Sequence, residues 1–411
     1  MAKTRLPIWL LALFLAAFAI GTDDFVIAGI LPELAADLAV SESAAGQLIT
    51  VFSVTYALAA PLAAVVTYRW PRRRVMAWSM VVFIIGNLAA AAAPNYESLF
   101  GLRIILAIAA ATVTPAAIAS AAAQAPPGKQ GKYISVVAAG LTVSLAVGVP
   151  AGTWLGGQFG WRSTMILVAV LAMVALIGMR RIPDQERDEH VSLRVRLAPL
   201  RKPAIVTALV SVLIAASGGL MFYEYVAPVT RELSAADSGT LGFLIAVAGV
   251  SGAIGTWIGG LATDRYGPER TTIVSVGLQA IAMLGAAFLA FTTAPGGVPV
   301  AVTGLLLAVW AIAGWAFNPA MYTRLISLSD NAGAEVAGLN NSALFFGISV
   351  ASGLGGAVLA SWGATAIPLA AGTLSLVAVA VFAVSFWAFT PVQPAPSLDK
   401  VACEAREVGR L

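Results

Sequence analysis

The stretch Arg180-Arg181-Ile182-Pro183-Asp184-Gln185-Glu186-Arg187-Asp188-Glu189-His190-Val191-Ser192-Leu193-Arg194-Val195-Arg196-Leu197-Ala198-Pro199-Leu200-Arg201-Lys202 decides the fold. It is the longest run in the chain that is too polar to cross a bilayer, and it holds seven Lys or Arg, four Asp or Glu and the single histidine. A spanning helix needs about 20 mostly apolar residues. Upstream of the linker, apolar runs of that length fall near 7–32, 43–67, 75–93, 98–123, 133–157 and 161–180. Downstream they fall near 203–226, 238–262, 271–293, 298–322, 336–360 and 365–389. The linker therefore divides twelve spans into two sets of six. The pattern predicts an all-α polytopic membrane protein with an N-terminal bundle over 1–180, a cytoplasmic linker over 181–202, a C-terminal bundle over 203–389 and a tail over 390–411.

Composition agrees. The chain has 411 residues, 59% of them hydrophobic and only 11% charged. Soluble domains carry about 25% charged residues, so this chain cannot cover a water-facing surface. One cysteine, Cys403, excludes a disulfide framework within the chain. Lys3 and Arg5 precede an apolar stretch, but that stretch continues past Asp23 and Asp24 without a small-residue cleavage site, so the first span reads as retained.

Charge placement predicts orientation. With the N-terminus inside, the inner segments hold 21 of the 24 Lys and Arg residues, Arg324 among them. Only Arg162 and Arg231 lie in outer loops, and Arg103 lies within a span. Positive charge is retained on the cytoplasmic side, which places the linker and both termini there, in a plasma membrane.

The two sets of spans echo each other at an offset of 196 residues. Ala64-x-x-x-Tyr68-Arg69-Trp70-Pro71-Arg72-Arg73 follows the second span, and Gly260-x-x-x-Asp264-Arg265-Tyr266-Gly267-Pro268-Glu269-Arg270 follows the eighth. Pro32 and Pro228, also 196 apart, are expected to end the first and seventh spans. Parallel six-helix repeats of this kind place a substrate site at their interface near the midplane.

Within the fifth span stand Gly140 and then Gly148-Val149-Pro150-Ala151-Gly152-x-x-x-Gly156-Gly157-x-x-Gly160-Trp161-Arg162. These residues, with the Gly260 loop motif, resemble the major facilitator superfamily and its 12-helix drug:proton antiporter branch. Gly21-Thr22-Asp23-Asp24-Phe25 leading to Leu31-Pro32 is similar to the chloramphenicol-resistance and sugar-efflux subgroup. The resemblance implies that Gly140, Gly148, Pro150, Gly152 and Gly156 form an antiporter motif. It also implies that Gly260, Asp264, Arg265, Gly267 and Arg270 form a cytoplasmic gate motif, degraded in the first repeat. The glycines spaced by four also suit close helix packing at the repeat interface, and Pro150 bends its helix.

Four charged residues remain inside spans. Asp23 and Asp24 lie about 16 to 18 residues into the first span. A carboxylate at such depth costs roughly 2.5–3.5 kcal/mol unless it faces a cavity, pairs or takes a proton. Neighbouring residues on a helix point about 100° apart, so the two do not share one cavity. Asp24 is favoured as the proton-coupling group, the alternative being that both only hydrogen-bond near the outer interface. Glu224 maps through the repeat onto Ala28, one turn beyond Asp24; it either faces the same cavity or lies near the outer mouth. Arg103 heads the fourth span, where the resemblance implies a part in proton transfer and plain physics allows structural pairing. Candidate cavity residues are Phe25, Tyr56, Tyr223, Tyr225, Trp310, Trp315, Asn318, Asn340 and Asn341, with Asn318-Pro319 expected to interrupt the tenth span and Asn340 to open the eleventh. Aromatic walls with a few amides suit neutral, amphipathic ligands.

No phosphate-binding Gly-x-x-x-x-Gly-Lys run, hydrolase motif or metal-ligand cluster occurs; His190 and Cys403 stand alone. The expectation is a cofactor-free, non-enzymatic, monomeric transporter that exchanges protons for a small amphipathic compound by alternating access. Its partners are substrate, protons and lipid, with no nucleic acid. The alternative is a sugar or metabolite exporter on the same scaffold.

Overall fold

The computed structural model describes residues 7–126, 129–183, 193–329 and 333–389. Lys3, Arg5, the acidic part of the linker with His190, and the tail 390–411 with Cys403 lie outside them.

The described residues form helices and no strands. The first bundle comprises α1 (Ile8–Asp37), α2 (Glu42–Val66), α3 (Arg72–Ala91), α4 (Tyr96–Ala123), α5 (Gln130–Val143), α6 (Val149–Phe159) and α7 (Trp161–Met179). A short α8 (Leu193–Arg196) lies in the linker. The second bundle comprises α9 (Pro203–Glu224), α10 (Val226–Ser234), α11 (Ser238–Tyr266), α12 (Pro268–Thr292), α13 (Val300–Leu328), α14 (Gly333–Trp362) and α15 (Ala366–Ala388). Counting α5 and α6 as one, twelve stretches are long and apolar enough to cross a bilayer. In hydrocarbon every backbone polar group must be satisfied within the segment, so long apolar runs become unbroken helices and breaks concentrate at the ends. Asn95 caps α4 through the Ser98 N–H at 3.0 Å. Asp237 caps α11 through Thr240 at 2.8 Å, and those hydrogen bonds hold its carboxyl below the ordinary range. Gly160 and Gly267, at φ +84° and +83°, turn the chain between α6 and α7 and between α11 and α12; a side chain at such angles is strained.

Expectations about helix ends and about Arg324 are corrected. Pro32 does not end the first helix: α1 continues to Asp37, which brings Glu33 and Asp37 into it. Likewise Asn318-Pro319 leaves α13 uninterrupted, and Pro61 and Pro115 lie inside α2 and α4. Proline removes one intrahelical bond, and helix on both sides still satisfies the remainder. The seventh span breaks at Tyr225, before Pro228, and Pro228 lies inside the short α10. Finally, Arg324 is not in a loop but within α13, fully buried.

The halves are joined most densely toward the end where α1 finishes and α2 begins, called here the Asp37 end. There Arg231 pairs with Glu42, Ser43 donates to the Gly356 carbonyl at 2.8 Å, and Ser352 donates to the Gly46 carbonyl at 2.6 Å. Tyr225 donates to the Ser352 carbonyl at 2.7 Å, its ring filling the space that Gly46 and Gly355 leave open. Nearer the middle, Ser342 reaches the Ala57 carbonyl at 3.2 Å.

Within the second bundle α11 lies against α13 so closely that a Cβ on Gly259 would collide with the Ala316 backbone, whereas Gly260 next to it faces open space. Overpacking costs typically 1–3 kcal/mol, while glycine inside a helix is itself up to about 1 kcal/mol worse than alanine. Gly259→Ala is therefore expected to lower the thermal unfolding midpoint of the purified protein, and Gly260→Ala to leave it level or raise it.

Candidate functional site

Asp23 and Arg103 meet in the core of the first bundle. The Arg103 Nη1 atom lies 2.9 Å from Asp23 Oδ2, both side chains 0% exposed. The guanidinium sits over the Phe52 ring of α2 at 4.2 Å and also leans toward the Leu48 and Asp23 carbonyls. Asn87 of α3, fully buried, lies beside Asp23 and donates to the Phe83 carbonyl. Helices α1 to α4 thus converge on one ion pair. Asp23 Oδ1, Arg103 Nη2 and Asn87 Oδ1 remain without hydrogen-bond partners, so the pair is neutral in charge but incompletely solvated. Of the alternatives open for Arg103, pairing is the one the geometry displays.

Asp24, one residue on, points elsewhere. It lines a small cavity with Phe25, Ala28, Ile49, Tyr223, Glu224 and Ile348. Asp24 is 5% and Glu224 4% exposed, and the two carboxylates interact electrostatically. Glu224 faces its repeat mate Ala28 across the boundary between the halves. Neither Glu224 oxygen has a hydrogen-bond partner; the nearby Ser352 hydroxyl is committed to Gly46. A second cavity shares Phe25 and Tyr223 and adds Leu145, Leu220, Ala248, Gly249, Trp310 and Trp315. Tyr223 stacks on Trp310 at 5.8 Å with 6° between the planes, and Phe25 meets Tyr223 edge-on at 5.9 Å.

The other cavity candidates are dispersed. Tyr56 stacks on Phe345 at 3.8 Å, joining α2 to α14, beside Thr114 and Asn341 and within electrostatic reach of Asp24. Asn340, two turns into α14 rather than at its start, lies beside Tyr322 with its Oδ1 unpartnered. Asn318 is half-buried and lines neither cavity. Tyr225 belongs to the joint at the Asp37 end, not to the cavities.

The fifth span lies at the contact between the halves as expected, but its motif glycines cover a different face. Gly140, Gly148, Gly152 and Gly156 face α1 of their own bundle, against Phe14, Thr22, Val26 and Ile30 respectively, rather than the other half. The contact between halves uses the next face, where Gly249 admits Leu145 and Ala146 and Gly242 lies against the Pro150 carbonyl. Just before Pro150 the helix widens into a π turn over Ser144–Gly148, with the Val149 N–H bonded to the Ser144 carbonyl. Asp264, Arg265 and Arg270 are exposed beyond Gly260, with Arg265 over the Tyr266 ring at 5.2 Å. Instead the neighbouring Glu269 pairs with the buried Arg324, which also donates to the Phe389 carbonyl at 2.6 Å and lies over Phe386. Sequence reasoning missed Asn87, Glu33 and the burial of Arg324. An amide in an otherwise apolar third span was the one available signal, since Glu33 and Arg324 were placed outside spans by misjudged helix ends. Among the described residues no group of His, Cys, Asp and Glu could hold a metal.

The family model of the Major Facilitator Superfamily matches residues 13–351. The chain belongs to the major facilitator superfamily. Its members are transporters, and the chain is 30% identical over 345 residues to the MFS-type transporter YbcL of Bacillus subtilis, covering 84% of this chain and 87% of that one. It is 30% identical over 288 residues to a chloramphenicol resistance protein of Streptomyces lividans, covering 68% and 73%. The inner membrane transport protein YdhP of Escherichia coli is 29% identical over 353 residues, covering 86% and 89%. Among solved structures of the fold, a D-xylose-proton symporter superposes with TM-score 0.75 at 19% identity, covering 91% of this chain and 96% of that one. A bacterial homologue of the lysosomal transporter Spinster, inward-facing, superposes with TM-score 0.72 at 18% identity, covering 94% and 98%.

Removing one member of a buried pair leaves an uncompensated charge, which costs about 3–5 kcal/mol. Arg103→Met is expected to lower the unfolding midpoint sharply. Adding Asp23→Asn to it should recover most of the loss, a double-mutant comparison readable by thermal denaturation.

Proposed function

We propose that this transporter exports a small amphipathic compound in exchange for protons, by alternating access across the plasma membrane. The observation that carries the proposal is the placement of Asp24 from one half and Glu224 from the other on one cavity. A carboxylate in dry surroundings is tolerable when protonated or when a cavity wets it, so a cycle that opens the cavity to each side in turn loads and unloads a proton there. Asp23, neutralised by Arg103, holds α1 in place and keeps the second acid of the doublet out of the exchange. Relatedness to a chloramphenicol resistance protein supports export of a drug-like compound. Export of a sugar or metabolite is the second reading, since the scaffold also serves a D-xylose-proton symporter.

In the proposed orientation the Asp37 end faces outward and the arginine-rich end faces the cytoplasm, with both termini there and the chain acting as a monomer. The joint around Tyr225 then closes the outer mouth, while the exposed Asp264, Arg265 and Arg270 of the gate motif stand apart from the halves' contact. Moving one charge across is worth about 2.3 kcal/mol per 100 mV, so exchange of one proton for a neutral compound draws on voltage as well as the pH gradient.

Inverted vesicles with an imposed pH gradient test the coupling. Addition of chloramphenicol-like compounds should release protons through the wild type, and Asp24→Asn should abolish that movement; coupling that survives the substitution overturns the assignment. The outer joint is tested separately. A Cβ at Gly46 collides with the Tyr225 hydroxyl, so Gly46→Ala is expected to slow cross-linking between cysteines placed at Glu42 and Arg231, in a background with Cys403→Ser, by several-fold.

A further inference from the structure

The joint at the Asp37 end sets two acids of the first bundle against one cation of the second. Arg231 of α10 pairs with Glu42 at the start of α2. Glu33, one turn before the end of α1, lies within electrostatic reach of both. Its side chain is half-buried, and its Oε2 atom is buried without a hydrogen-bond partner. Among the described residues no other charge acts on it, Glu232 beside Arg231 included. Arg162 at the start of α7 is bound to Asp37, which also accepts from the Trp161 indole N–H at 3.0 Å. Helix α6, which packs on α1 at Gly29 and Ile30, carries no ionisable side chain, and Asp237 is engaged in capping α11. Glu224 of α9 faces the cavity beside Ala28, more than a turn further in.

With all three groups charged, the joint carries one negative charge in excess. Closing it takes Glu33 out of water without giving Oε2 a hydrogen bond. An ionised carboxylate buried on those terms is costly, and a second carboxylate nearby adds repulsion. Arg231 offsets little of this, because it is committed to Glu42 and half exposed, where ion pairs hold weakly. A proton on Glu33 removes both costs and leaves the guanidinium to Glu42 alone. When the halves part, Arg231 leaves with the second bundle and Glu33 returns to water. Proton uptake and closure therefore favour each other, and such coupling is reciprocal.

We propose that Glu33 is a proton switch on the joint between the halves: taking a proton closes the mouth at the Asp37 end, and releasing it frees the halves to part there. The switch is separate from the cavity of Asp24, which lies deeper on α1, and it acts whether or not Asp24 carries the coupled proton. It rests on the transport reading above only in answering to the outside solution.

The test measures the distance between the halves in purified full-length protein in nanodiscs, where both faces meet one buffer. Spin labels go on Glu97→Cys of the first bundle and Ala294→Cys of the second, both exposed positions at the Asp37 end, in a background with Cys403→Ser. Lowering the pH from about 8 to about 5 should raise the short-distance population at least about threefold. Glu33→Gln should hold that population at its acid level at both pH values, and Asp24→Asn should leave the response in place. Glu42→Gln leaves Arg231 to Glu33 alone, so acid should then part the halves, a reversal of sign that a merely structural glutamate would not produce. A joint indifferent to pH, a response that survives Glu33→Gln or is abolished by Asp24→Asn, or a Glu42→Gln joint that still closes in acid overturns the inference. Export fails separately. A Glu33-dependent joint in a protein that moves no protons in vesicles leaves this inference standing and sinks proton-coupled export, while proton movement through a protein whose joint ignores pH does the reverse.

Discussion

A guanidinium in hydrocarbon has to be neutralised where it stands, and Arg103 is neutralised by Asp23. Much of the first bundle follows from that contact. Arg103 rises from α4, Asp23 descends from α1, Phe52 and Leu48 of α2 cover the cation, and Asn87 of α3 closes the far side. Four helices are thereby fixed in rotation about one point. Because adjacent residues diverge by about 100°, fixing Asp23 toward Arg103 also fixes Asp24 toward the boundary between the halves. The pair contributes little net stability by itself, since desolvation offsets most of its attraction. Its effect is to determine which acid is available.

The glycines of the fifth span complete the same arrangement from the other side of α1. Gly140, Gly148, Gly152 and Gly156 let that span lie directly on α1, so the helix bearing both acids is held between α4 and the fifth span. Small residues permit such close approach where lipid provides no hydrophobic drive toward association. The π turn over Ser144–Gly148 itself places Leu145 and Ala146 against Gly249 of α11, and Pro150 just beyond it lies against Gly242. One span thus packs rigidly on its own bundle along one face and touches the other half along the next.

Twelve spans, two halves and the four buried charges at Asp23, Asp24, Arg103 and Glu224 were legible because each follows from composition over a window or from one misplaced charge. Helix ends were not. Proline suggested a stop at Pro32 and a break at Pro319, but hydrocarbon penalises any unsatisfied backbone so heavily that the helices run on. That error hid Glu33 within α1 and left Arg324 assigned to a loop, although its guanidinium is buried against Glu269, Phe386 and the Phe389 carbonyl. The direction of a side chain was legible only where a physical rule fixed it, as for the divergence of Asp23 and Asp24. Tyr225 and Tyr223, two residues apart, looked alike in sequence. The helix break at Tyr225 sends one into the joint between halves and leaves the other on the cavity wall.

The two bundles share a fold but not a charge distribution, and the difference bears on mechanism. Each buries one arginine fully: Arg103 is paired deep in the first bundle, and Arg324 is paired in the second with Glu269 at the start of α12. Each also contributes an acid to the shared cavity. Asp24 lies within electrostatic reach of Arg103, whereas among the described residues no cation acts on Glu224. A symmetric pair of acids would have no reason to treat proton and ligand differently. The counter-charge on one side alone makes the two acids electrostatically unequal.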